Sequence, residues 1–111
     1  MERNNDFRII YGKGFHLPVG NYYISVQFGY GNYCENYNKE FPATRPWSWE
    51  CPDAEVAIMS KNDRFVTWDI LNEMDVKWDN FDGDEIISHA TPDQVCQIIS
   101  YLYEKTKGES K

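Results

Sequence analysis

The chain has 111 residues, 41% of them apolar and 16% aromatic, and a net charge of −7, enough material for one domain with a single modest core. No apolar run reaches the roughly 20 residues that a membrane helix needs, and the start "MERNNDFRII" lacks the apolar centre of a signal peptide. An acidic chain does not attract phosphate backbones, so the expectation is a soluble, cytoplasmic protein with no cofactor, no membrane and no direct nucleic-acid contact.

Taken in order, "FRIIYG" (7–12) reads as a short strand, and Gly12, Gly14, Pro18 and Gly20 then read as turns. "NYYISVQFGYG" (21–31) alternates cleanly, with Tyr22, Ile24, Val26, Phe28 and Tyr30 on one face of a strand. Residues 31–53 have no period and three prolines, yet contain Tyr33, Tyr37, Phe41, Trp47 and Trp49. A loop so long and so aromatic either covers the core or presents a contact surface. "AEVAIMS" (54–60) reads as a strand, "NDR" as a turn and "FVTWDIL" (65–71) as the return strand of a hairpin.

The stretch 72–84 is ambiguous: Ile70, Met74, Trp78 and Phe81 fit a helical spacing, but "DVKW" alternates. "EIISHA" (85–90) reads as a short strand. A C-terminal helix follows, with Thr91 as N-cap, Pro92 at the first helical position and Val95, Ile98, Ile99 and Leu102 on one face. Gly108 stops it, and 108–111 reads as a frayed tail. Strands followed by one helix predict a single α+β domain over 1–111, a small antiparallel sheet with the C-terminal helix packed on one face.

The charge is uneven. Residues 69–85 hold Asp69, Glu73, Asp75, Asp79, Asp82, Asp84 and Glu85 against Lys77 alone, a net −6. Set as a calcium loop around Gly83, this stretch puts Trp78 and His89 where the first and last oxygen ligands belong, so the frame fails. With 18 acids in the chain, a catalytic carboxylate pair carries almost no signal, and a solvated acidic face is the plainer reading.

Zinc would draw on His16, Cys34, Cys51 and His89, no two of which are close in sequence, so a zinc motif is not expected. The three cysteines read as free thiols. Cys96 lies within the predicted helix as a small buried apolar group; Cys34 and Cys51 bracket one loop and would pair only under oxidation. The histidines read as surface or turn residues. A Cys–His nucleophile stays open, because such pairs meet only in space. "GKGFHLPVG" and "GYG" lack the rest of a phosphate loop. Trp47 and Trp49, two apart, either cap the core or anchor a partner, and Tyr30 and Tyr33 extend either arrangement.

"YYISVQFGYGNYCEN", then "DAEVAIM", then the acidic stretch and "ISHATPDQVCQII" resemble small accessory proteins of phages and other mobile elements. The shared pattern is an S-V-Q strand running into a Tyr-Cys, a later E-V-A strand and a T-P-D-x-V helix start. Such proteins include anti-CRISPR inhibitors of host defence, some of which are acidic nucleic-acid mimics, and the resemblance supplies no catalytic residue. The leading expectation is a non-enzymatic inhibitor. Its partner-binding face of Asp69, Glu73, Asp75, Asp79, Asp82, Asp84 and Glu85, with Trp47, Trp49, Tyr30 and Tyr33, would dock on a basic host protein that handles nucleic acid, such as a CRISPR effector. The alternatives are a nucleotide-like ligand stacked on the aromatics of 30–49, a Cys–His enzyme, and a structural or oligomerising accessory protein.

Overall fold

The computed structural model describes residues 4–44 and 48–108. Five strands, β1 (Arg8–Ile10), β2 (Gly14–Val19), β3 (Tyr22–Gln27), β4 (Ala54–Ser60) and β5 (Ile87–Ala90), form one antiparallel sheet in sequence order. Two helices complete the fold, α1 (Thr67–Met74) between β4 and β5, and α2 (Pro92–Thr106) after β5. The fold is α+β, as the order of elements predicts.

Period-two alternation divides the sheet into two unlike faces. Cross-strand partners Ile24 and Ile58, and Val26 and Val56, point to the same side. There they meet Ile70 and Leu71 of α1, Ile98 and Leu102 of α2, and Ile87, all almost fully buried. Both helices therefore cover one face. The other carries His16, Tyr23, Ser25, Gln27, Glu55, Ala57 and Met59, and neither helix of the described residues lies over it. Helix α2 starts as expected: the Thr91 hydroxyl accepts from the Gln94 amide at 3.1 Å, and the Gln94 side chain accepts from the Thr91 amide at 3.0 Å. At its other end Thr106 packs directly on Gly20, whose φ of +61° and missing Cβ allow the close approach.

Three expectations are corrected. Residues 12–20 are not a run of turns, because Gly14–Val19 forms β2 across its whole length. Pro18 is tolerated because β1 pairs with β2 only from Gly14 to His16, so no outer neighbour asks for its missing N–H.

Residues 65–71 begin as a return strand, with Phe65 bridging Met59 and the Val66 amide bonded to the Ile58 carbonyl, and then turn into α1. Thr67 is the reason: its hydroxyl accepts from the Ile58 amide at 2.9 Å and donates to the Ile58 carbonyl. It thus supplies what the next strand residue would have supplied, and frees the chain to coil.

Cys96, expected to be buried, is exposed on α2; it stands two positions before Ile98, off the buried stripe. The stretch 72–84 continues the helix only to Met74, where Asp75 takes a left-handed conformation and ends it.

Candidate functional site

The segment after α1 folds back on the start of that helix as one acidic lobe. Its main chain is pinned along the outer side of β5, where Phe81 bridges Ile87 and the Ser88 amide bonds to the Asn80 carbonyl. The Asn80 side chain donates to Gln94 at 2.7 Å and accepts from it at 3.1 Å, which fixes the lobe to the N-terminus of α2. Gly83, with φ +96°, lies so close to the Trp68 ring that a Cβ there would sit 3.0 Å from it. Phe81 packs on the same ring with centroids 6.1 Å apart. Trp68 nevertheless stays 49% exposed.

The seven acids of this segment separate into two groups. Glu85 accepts from the Trp68 amide at 3.0 Å and so supplies the N-terminal cap that Val66 does not. Glu73 accepts from the Tyr101 hydroxyl at 2.7 Å and pairs with Lys105 at 3.0 Å, tying α1 to α2. The Tyr101 hydrogen bond, with Lys105 behind it, holds the Glu73 carboxyl below its ordinary value, and the same contact with Glu73 raises Lys105. Asp84 closes a local turn onto the Ile86 amide. Asp69, Asp75, Asp79 and Asp82 are exposed, and their carboxylates hold no hydrogen bond or ion pair among the described residues. Unpaired carboxylates keep their acceptor capacity for a partner.

Of the aromatic residues expected at the site, Trp47 lies outside the described residues. Trp49 is half-buried against Phe41, edge to face at 5.2 Å, and lines a cleft together with Ile10, Phe15 and Phe28. Tyr30 and Tyr33 are exposed, and Tyr33 stacks on Tyr37 at 5.8 Å. The cleft that Trp49 lines includes neither Tyr30 nor Tyr33. The Tyr33 carbonyl accepts from the His89 amide, one residue along β5 from Ser88, which borders the acidic lobe. Tyr33 and the lobe are therefore each bonded to β5, through successive amides. Trp68 is the feature that sequence reading missed. Placed in a return strand, it had no reason to join the acids; its position beside Asp69 was the available signal.

Two further groupings are visible only in three dimensions. On the uncovered sheet face, His16, Tyr23, Ser25, Gln27, Asn32, Glu55 and Phe65 line a cleft of about 360 Å³. The His16 and Tyr23 rings lie 4.8 Å apart, and Asn32 donates to Glu55 at 2.7 Å and to Gln27 at 3.2 Å. Behind the tyrosine loop, Cys34, Cys51 and Asp53 come together, and Asp53 is shared with Glu35 and His89. Burial, supported by the Cys51 thiol and the Asp53 carboxylate and opposed by the Asn36 amide, pushes the Cys34 thiol up to about 11. A thiol so protonated at neutral pH is a poor nucleophile, which weighs against a Cys34–His enzyme. His16, in contrast to the surface-or-turn expectation, is half-buried within β2, whereas His89 is exposed.

Compared with protein-family models, with curated proteins and with solved structures, the chain matches none.

Proposed function

We propose that this is a non-enzymatic binding protein whose acidic lobe docks on a basic site of a host protein that handles nucleic acid. A counter-defence inhibitor of phage or mobile-element type, of the anti-CRISPR kind, is the most specific form of this reading. The observation that carries it is the half-exposed Trp68, flanked in the chain by Asp69 and packed on the Gly83 turn between Asp82 and Asp84. An exposed aromatic ring with Asp69 beside it in the chain and Asp82 beside the Gly83 turn that it packs on suits a surface of arginines. The guanidinium stacks on the ring while its neighbours pair bidentately with the carboxylates. Carboxylates on a pinned backbone collect the same Lys and Arg contacts as phosphates, so nucleic acid should compete for the partner. The test is capture from host lysate at low and high salt, with the wild type, Trp68→Ala and the Asp79→Lys, Asp82→Lys, Asp84→Lys triple variant. The expected result is a basic partner retained at low salt by the wild type and lost by both variants. Equal capture by the triple variant rejects the reading.

The cleft on the uncovered sheet face favours a second reading, a small-ligand-binding domain, at a place other than the 30–49 aromatics. His16, Gln27 and Glu55 line this cleft with polar side chains beside the Tyr23 ring. A thermal-shift screen of nucleotides and small polar ligands tests it: a stabilisation by a ligand that Glu55→Gln and His16→Ala abolish supports this reading, and no hit rejects it.

A further inference from the structure

We propose that Cys34, Cys51 and Asp53 form a binding site for one thiophilic divalent cation of the zinc class. The two Sγ atoms and a carboxylate oxygen of Asp53 all lie within 4.8 Å of one another. The Cys51 Sγ to Asp53 Oδ1 distance is 3.6 Å. A tetrahedral zinc with bonds of about 2.3 Å to sulfur and 2.0 Å to oxygen sets those two atoms about 3.5 Å apart, so this edge already has the required length.

The scaffold around the three groups is fixed from both sides. Cys34 sits in a tight loop, its amide bonded to the Asn32 carbonyl at 2.7 Å and its carbonyl to the Tyr37 amide at 3.0 Å. Cys51 and Asp53 lie in the extended stretch just before β4. The buried Asn36 side chain joins the two segments, donating to the Phe28 carbonyl at 2.9 Å and to the Glu50 carbonyl at 3.2 Å. The Glu35 amide donates to Asp53 Oδ1 at 2.8 Å; such outer hydrogen bonds orient ligating carboxylates.

Cys34 is only 2% exposed, while Cys51 and Asp53 open onto an apolar cleft of about 290 Å³ between Phe28 and Pro92. That opening gives a cation its entry path. Glu35, together with the Asp53 carboxylate, adds negative charge beside it. On binding, each thiol releases its proton to solvent and becomes a thiolate ligand. Two thiolates and one carboxylate then hold the dication, for a site charge of −1. Soft sulfur ligands select zinc-class ions over magnesium or calcium.

The experiment uses the full chain, reduced and stripped with a chelator, titrated with cobalt(II) and then zinc(II). The expected result is a thiolate-to-cobalt charge-transfer band with the visible bands of tetrahedral cobalt, saturating at one equivalent and bleached by zinc. Zinc should raise the melting temperature of the wild type and of Cys96→Ala, but not of Cys51→Ala or Asp53→Asn. Cys51 and Asp53 are half-buried, so circular dichroism should show both variants folded; Cys34→Ser serves as a third variant if either is not. Absence of the charge-transfer band in the reduced protein overturns the proposal. So does a band that survives in folded Cys51→Ala, or one that is lost in Cys96→Ala. A Cys34–Cys51 disulfide that forms in air, with no cobalt signal once it is reduced, also overturns it, leaving a redox pair in place of a metal site.

Discussion

The carboxylate of Glu73 accepts from Tyr101 and pairs with Lys105, and this is why it lies below its ordinary value of 4.5. A carboxyl depressed in the folded state stabilises the fold above its unfolded pKa and loses that contribution as the pH falls through the folded value. Glu73→Gln should therefore lower the melting temperature at neutral pH. The gap between variant and wild type should narrow progressively as the pH of the melts is taken below the ordinary value of 4.5. The effect should be modest, because Glu73 is 40% exposed and its pair with Lys105 is screened by solvent. Asp69, Asp79 and Asp82 make no such contacts, so replacing them with Asn should leave stability within about 0.5 kcal/mol. Trp68→Ala belongs to the interface: its loss should weaken partner binding by about 2 kcal/mol or more, read by titration calorimetry. The charge of 69–85 was legible in the sequence, but the division of labour within it was not. Glu85 caps an amide 17 residues away and Glu73 meets a tyrosine 28 residues away.

The elements differ in how locally they are specified. Helix α2 could be placed from sequence because its cap, its proline and its apolar stripe all lie within the segment itself. Thr91→Ala should cost about 1 kcal/mol in denaturant melts. Gln94→Ala should cost more, since that side chain also holds Asn80 and with it the acidic lobe. The start of α1 was not legible, because the decisive hydrogen bond runs from Thr67 across to Ile58. Strand β2 was hidden by three glycines and a proline whose usual meaning is a turn; only the shortness of β1 makes Pro18 acceptable there. Gly83 marks the point where lobe and helix touch. Gly83→Ala should cost about 1–3 kcal/mol, because its φ of +96° strains any side chain. It should also shift Trp68 fluorescence, because the added methyl group meets that ring.

At the scale of the molecule, both helices occupy one face of the sheet and leave the other open, and most of the net charge gathers in the lobe at α1 and β5. The cysteines, the polar cleft and the acidic lobe are three separate places, and the distances in sequence between their members explain why composition alone pointed only to the last. Long-range attraction between this lobe and a basic partner should weaken steeply with ionic strength, since exposed charges are screened beyond about 10 Å at 0.1 M salt. An apolar or hydrogen-bonded contact elsewhere on the molecule would respond far less. The most direct test of the docking reading is therefore the affinity of the captured partner, measured across a salt series for the wild type and for the variant reversed at Asp79, Asp82 and Asp84. A steep loss of wild-type affinity with salt is expected, with little or no binding by the variant. Equal affinities for the two proteins with a flat salt dependence would contradict it.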